Sequence, residues 1–369
     1  MTASRYTFLD GIRGLAAIFV VTRHTTDLWE FSFFRSYLAV DLFFILSGFV
    51  IANAYEEKLS SKSISTKSFI IIRLIRLYPI YLLSLLICSI LYLANITDTQ
   101  NSSGTTSNLI LSIALATAML PSKIPGSPSL FPMNGPYWSL FFELIINLVY
   151  AAIRPILSRN ILVALIAIFG ILVSGASLLR GDLDVGHTWG TGSIAAGFSR
   201  AGFGVFLGVF IFRNIDSFAM RFQRIKFPWI ATILAIGILA SPSFGRLDPI
   251  IDIISVIAIF PMLLIVASQG KSSKAEKILT TLGSASYPIY VLHLPLGLIF
   301  SSYLKEQGIQ IAPTSGIIFL IILIPIALAS EKIYDIPVRK WLINKFIKNN
   351  PHHSSHPQKI KQEESVNLN

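Results

Sequence analysis

The chain has 369 residues, 53% of them hydrophobic and only 13% charged, with a mean hydropathy of +0.67. A soluble domain carries roughly a quarter charged residues, so lipid must be the solvent for most of this chain. The net charge of +11 does not point to nucleic acid, because Lys and Arg fall in short clusters between apolar runs, and the single cysteine, Cys88, rules out a disulfide framework.

Apolar runs long enough to cross about 30 Å of hydrocarbon, roughly 20 residues each, lie at 11–29, 37–55, 70–94, 136–153, 160–179, 194–212, 250–268, 285–304 and 313–333. A shorter run at 228–241 can just cross. The first run carries Arg13 and His24 and reads as the first span rather than a cleaved signal peptide. Residues 95–108 are rich in Ser, Thr and Asn and read as an exposed loop. A short run at 108–120 follows, trailed by Pro121, Pro125 and Pro128.

Positive charge orients the spans. The clusters Lys58 to Arg76, Arg154 with Arg159, Arg213 to Lys226, Lys271 to Lys277 and the tail from Arg339 are expected inside. The 95–107 loop has no positive charge and is expected outside. An odd number of crossings must then separate it from Arg154, so 108–120 is assigned as a re-entrant or interfacial segment. Non-helical backbone at membrane depth is tolerated only where it lines a cavity or is buried in protein. The predicted fold is an all-α integral membrane bundle of about ten transmembrane helices with both termini cytoplasmic. Residues 1–348 form the transmembrane domain, and 349–369 a disordered cationic cytoplasmic tail. Outside the tail histidines His352, His353 and His356, no ligand cluster has metal-binding spacing, so no metal is expected.

A charge within a span costs on the order of 2.5–3.5 kcal/mol to insert and marks a functional candidate. Arg13 and His24 are 11 residues apart, which places them on one helix face about 16 Å apart. Arg13 serves either a ligand or as a residue snorkelling to headgroups. Gly11 and Gly14 admit close approach of another helix. Asp41 lies near the outer end of the second span, with Ser47 and Gly48 near its middle as small packing residues. Arg73 and Arg76 are one turn apart at the inner end of the third span, suited to phosphate or to anchoring. Glu143 lies about 10 Å below the outer end of the fourth, with Ser139 on its face and Trp138 beside it. It needs a wet cavity or a partner such as an Arg on another span. Tyr287, Tyr290 and His293 recur at helical spacing as polar groups. Sorted by depth, the arginines form a cationic mouth and His24 with Glu143 a titratable group farther in. That order suits a phosphate-bearing donor delivering its reactive end deeper, with His24 as general base and Glu143 fixing its tautomer.

The motifs LDGIRG with His24, VDLFFILSGFVI, RLIRLYP, GPYWSLFFE and SYPIYVLH run nearly end to end, and in that order the chain resembles the acyltransferase family 3 membrane proteins. These O-acylate bacterial surface polysaccharides, lipopolysaccharide, peptidoglycan and related acceptors. The resemblance implies a catalytic His24, acting as general base or taking the acyl group briefly itself. It also implies acyl-CoA, most simply acetyl-CoA, bound through Arg13, Arg73 and Arg76, with Glu143 in the active-site cavity and no permanently bound cofactor. Asp41, Trp138, Ser139, Tyr287 and His293 are the candidate substrate-binding residues. The implied partners are acyl-CoA, a carbohydrate or glycolipid acceptor and the lipid bilayer, in a bacterial inner membrane. The family commonly shows Glu before a Pro near its end; here Asp335 and Ile336 precede Pro337. The competing class is a polytopic transporter or flippase for glycans or lipid-linked sugars. Transporters often carry paired interrupted helices in both halves, and here only one half shows an interruption.

Overall fold

Hydrocarbon offers a backbone no hydrogen-bond partner, so an apolar run in lipid must satisfy its amides within a helix. The computed structural model describes residues 6–94, 106–222, 228–270, 275–309 and 311–348, and these are all-helical apart from connections and one isolated bridge. In chain order the helices are α1 (Thr7–His24), α2 (Thr26–Trp29), α3 (Ala39–Ser60), α4 (Thr66–Leu93), α5 (Thr106–Thr117), α6 (Tyr137–Ile153), α7 (Arg159–Arg180) and α8 (Ser193–Arg213). They continue as α9 (Ile215–Phe222), α10 (Trp229–Leu239), α11 (Asp248–Ile254), α12 (Phe260–Ser268), α13 (Glu276–Glu306), α14 (Thr314–Ser330) and α15 (Ile336–Ile343). π-helical turns at Ser255–Ile259 and Glu331–Asp335 join α11 to α12 and α14 to α15.

Among the described residues, eight helical segments are long and apolar enough to cross a membrane. α1 is of crossing length, about 27 Å by the helical rise, but carries Asp10, Arg13 and Arg23. With α1 and the short apolar α10 the set agrees with about ten spans. The 108–120 run becomes α5, a 12-residue helix about 18 Å long, too short to cross. It is helical rather than irregular, and its end is pinned to α4 by Tyr81, whose hydroxyl donates to the Ala116 carbonyl at 2.6 Å, and by Tyr78 to the Thr117 carbonyl at 3.0 Å. The loop over 95–105 and the tail with its histidines lie outside the described residues.

Two helix pairs form the frame. α3 lies against α8 with backbones almost touching: a Cβ added at Gly48 would overlap the Val205 carbonyl, and one at Gly208 the Ile45 carbonyl. Small residues permit this approach, which supplies the dispersion contacts that hold helices together in lipid. The second pair is α1 with α13. An added Cβ at Gly14 would come within 2.7 Å of the Leu282 carbonyl, and one at Gly297 within 2.7 Å of Thr25. Low residues on α1 thus meet low residues on α13 and high meet high, so the two helices run parallel.

Pro295 removes an amide from the middle of α13 and leaves the Val291 carbonyl without its helical donor. Ser84 on α4 donates to that carbonyl at 2.5 Å, and the Asn134 amide at 3.1 Å, while the Asn134 amide also reaches Ser84 at 3.2 Å. A break in one helix therefore ties three segments together. α7 shows the opposite face of the problem: Ile168, Ile171, Leu172 and Leu179 are exposed on it, where lipid is the neighbour.

A buried ion pair crosses the first pair. Arg200 of α8 donates from Nε to Asp41 Oδ1 at 3.0 Å and from Nη2 to Oδ2 at 2.6 Å, and both side chains are 1% exposed. Asp41→Asn leaves that guanidinium buried without a counter-charge. It is expected to destabilise the protein by about 3–5 kcal/mol, read as a lower unfolding midpoint in detergent. The double variant Asp41→Leu, Arg200→Met should recover most of the loss. An unshifted midpoint in the single variant would remove the pair from the account of α3–α8 packing.

Candidate functional site

The parallel register of α1 and α13 sets the heights of the polar groups. Near one end, Arg13 donates from Nη2 to the Gly283 carbonyl at 2.7 Å and from Nε to Ser286 Oγ at 2.9 Å. About 16 Å along α1 by the helical rise, the His24 ring lies 5.1 Å from the ring of His293.

Beside Arg13, a cavity of about 160 Å³ opens between α1, α3, α4, α6 and α13. Arg13, Arg73, Arg76, Ser47, Glu143 and Tyr287 are among its lining residues. The three arginines expected to act together do converge on one space. Each meets a carboxylate: Arg13 lies 3.3 Å from Asp10, Arg73 lies 3.2 Å from Glu143, and Arg76 lies 3.7 Å from Asp335. Asp335 also takes Arg339 at 2.8 Å. The Arg76 guanidinium sits over the Tyr287 ring at 5.6 Å, and the Tyr287 hydroxyl donates to the Leu77 carbonyl at 2.6 Å. Arg73 Nε is buried with no hydrogen-bond partner among the described residues. The set offers planar, multi-donor guanidiniums to a phosphate, with carboxylates that a stronger anion would displace.

Glu143 corrects one expectation. Its carboxylate is not paired with His24 but accepts from Ser47 and from Arg73, with the Asn147 amide at 3.5 Å. α4 enters from the arginine end and α6 from the His24 end, so Arg73 and Glu143, each well inside its helix, meet at intermediate depth. A depth count along one helix cannot see this, because it fixes height and not the side of the bundle.

At the other end His24 is exposed, and its Nδ1 lies 2.9 Å from the Val20 carbonyl. A carbonyl only accepts, so Nδ1 carries the proton in this bond and Nε2 is left as the basic nitrogen. His293 is fully buried with the same arrangement, Nδ1 to the Ile289 carbonyl at 3.1 Å, and its Nε2 has no partner among the described residues. The tautomer of His24 is thus fixed by its own helix and needs no carboxylate. Over this end folds the segment between α7 and α8. Asp184 pairs with Arg23, and the Val185 carbonyl accepts from Arg200 at 2.6 Å. His187 on that segment is held below the ordinary imidazole range by burial, and so stands neutral at pH 7.

The remaining expected residues divide. Ser139 lines the cavity and shares a 2.6 Å hydrogen bond with the Tyr290 hydroxyl. Trp138 is buried with the Arg200 guanidinium over its ring at 5.2 Å, and its ring lies 6.3 Å from His187. Asp41, expected to face substrate, is sealed against Arg200 and is not among the residues that line the arginine cavity. Arg200, Arg23 and Asp184 were missed by the sequence reading. A lone arginine in the middle of 194–212 carried the signal for Arg200; nothing local signalled the Arg23–Asp184 pair.

A helical bundle of this size, with an arginine-lined cavity at one depth and an imidazole farther along the same helix, defines a polytopic membrane protein. Residues 6–330 match the family model described as an acyltransferase domain, and the chain belongs to that family, acyltransferase family 3. It is a multi-pass membrane acyltransferase. A Rhizobium radiobacter protein named "Protein 2 in picA locus" is 37% identical over 183 residues, which is 47% of this chain and 95% of that protein. No solved structure matches.

The pairing of Glu143 yields a direct test. A double-mutant cycle of Arg73→Met with Glu143→Gln, followed by unfolding in detergent, should give a coupling energy of about 0.5–3 kcal/mol. The cycle of His24→Ala with Glu143→Gln should add within about 0.5 kcal/mol. Equal coupling in both cycles contradicts the pairing described above.

Proposed function

We propose that this chain is an O-acyltransferase that moves an acyl group, acetyl in the first instance, from acyl-CoA to a hydroxyl of a cell-surface carbohydrate or glycolipid. It would act in a bacterial cytoplasmic membrane with both termini inside, as the distribution of Lys and Arg favours. The observation that carries the reading is the placement of Arg13 and His24 on one helix, with Arg73 and Arg76 completing a cationic cavity beside the former. Phosphates of CoA bind the arginines, displacing Asp10, Glu143 and Asp335 in part. The extended pantetheine arm then carries the thioester toward His24.

His24 Nε2 takes the proton of the acceptor hydroxyl as its oxygen attacks the thioester carbonyl. The tetrahedral intermediate collapses with cleavage of the C–S bond, and the imidazolium returns its proton to the departing CoA thiolate. The Nδ1 bond to Val20 keeps the tautomer correct through the cycle. Glu143 acts through Arg73, holding that guanidinium toward the cavity, rather than through His24. The acceptor reaches His24 from the end where Trp138, His187 and His293 gather. Ser139 and Tyr287, which line the arginine cavity, serve the donor arm.

Purified protein in liposomes, given acetyl-CoA and a glycan extract, is expected to release free CoA. His24→Ala should lower the rate by about 10²–10⁴-fold, and Arg73→Ala should raise KM for the donor, with both variants keeping a folded thermal transition. Wild-type protein that leaves acetyl-CoA and other acyl-CoA donors untouched overturns the reading.

A further inference from the structure

The three arginines of the cavity do not release their carboxylates on equal terms. Arg13, Arg73 and Arg76 line the space, while Asp335 and Arg339 do not. Asp10, beside Arg13, has a side chain 16% exposed, so solvent can take over its charge. Glu143 retains Ser47, and the Asn147 amide at 3.5 Å, when Arg73 turns away. Asp335 has neither resource: it is 0% exposed, and no hydrogen bond reaches either of its oxygens among the described residues.

Two guanidiniums flank that carboxylate, and they are held differently. Arg76 lies 3.7 Å away with a side chain 30% exposed, whereas Arg339 lies 2.8 Å away and is 3% exposed. Asp335 closes the π-helical turn Glu331–Asp335, and Arg339 follows on α15 at the i, i+4 spacing that sets side chains side by side. Arg76 comes from α4, across the helix boundary. Arg339 therefore stays beside Asp335 when Arg76 moves. Glu331, buried one turn before Asp335, is the further charge in this group.

An arginine that leaves a buried carboxylate for a phosphate must leave that carboxylate compensated, because a lone charge in a dry interior is strongly unfavourable. We propose that Arg339 is a positioning residue for donor binding: it holds the charge of Asp335 so that Arg76 is free to turn to a phosphate of the donor. This rests on the acyl-CoA reading above. Without Arg339, Arg76 is the nearest cation left to Asp335 and is drawn onto it, away from the cavity. The donor then loses one guanidinium in the ground state and the transition state alike, which raises KM and leaves kcat in place.

The test uses the full-length protein in liposomes, with CoA binding, acetyl-CoA turnover and thermal unfolding recorded for each variant. Arg339→Met is expected to weaken CoA binding and to raise KM for acetyl-CoA by about tenfold or more, with kcat unchanged. Added to Arg76→Met, it should cause no further rise, since it acts through Arg76. The double variant Asp335→Asn, Arg339→Met leaves Arg76 no buried charge to release and should bind CoA more tightly than wild type. If Arg339→Met alone fails to fold, that double variant decides. Three results overturn the proposal while leaving acyl transfer intact: a folded Arg339→Met with unchanged KM, a full further loss in the Arg76→Met background, or a double variant that binds CoA no better than wild type. A wild type that neither binds CoA nor consumes acetyl-CoA overturns the donor reading itself, and the role of Arg339 with it.

Discussion

The arrangement of this bundle depends on one interaction, the buried pair between Asp41 and Arg200. In lipid a single charge on either α3 or α8 is expensive, and the two together, joined by two hydrogen bonds, are tolerated. Arg200 spends its other donors on the Val185 and Tyr37 carbonyls and lies over Trp138. One guanidinium thus fixes α3, α8, the entrance of α6 and the segment that folds over His24. The glycines that bring α3 and α8 into backbone contact make the pair geometrically feasible, and the pair makes that close contact specific.

A second constraint acts along α13. Proline within a helix strands a carbonyl, and in a dry interior a stranded carbonyl recruits a donor from elsewhere. Pro295 does so at Val291, and Ser84 and Asn134 answer. His293 lies between Val291 and Pro295, in the stretch that these bonds hold in place. The same helix runs parallel to α1, so His293 and His24 are set side by side by the register that also sets Arg13 against Gly283 and Ser286.

The arginine cavity balances opposing demands. Bare guanidiniums within a bundle would be costly, and permanently saturated ones would bind no ligand. Pairing each arginine with a carboxylate at 3.2–3.7 Å answers the first demand and leaves donors over for the second. Under the proposed function, phosphate binding would be an exchange of partners on the guanidiniums. Glu143 belongs to this exchange, which is why its pairing with Arg73 matters more than its depth.

The sequence by itself determined the solvent of this chain, its all-helical class and the positions of its spans, because hydropathy and helix length are set residue by residue. It also marked Arg13, His24, Arg73, Arg76 and Glu143, since a charge in an apolar run stands out wherever the helix is placed. The common face of Arg13 and His24 was legible because both lie on one helix of fixed pitch. Which helices touch was decided only in the tertiary structure. Glu143 was expected beside His24 on the ground of equal depth and is found with Arg73, because depth along a helix says nothing about azimuth around the bundle. Asp41 was expected at the substrate and is sealed by Arg200, a partner 159 residues away. The edge-to-face contact of Phe43 and Tyr290 was invisible for the same reason: rings on α3 and α13 meet only when packing brings them together.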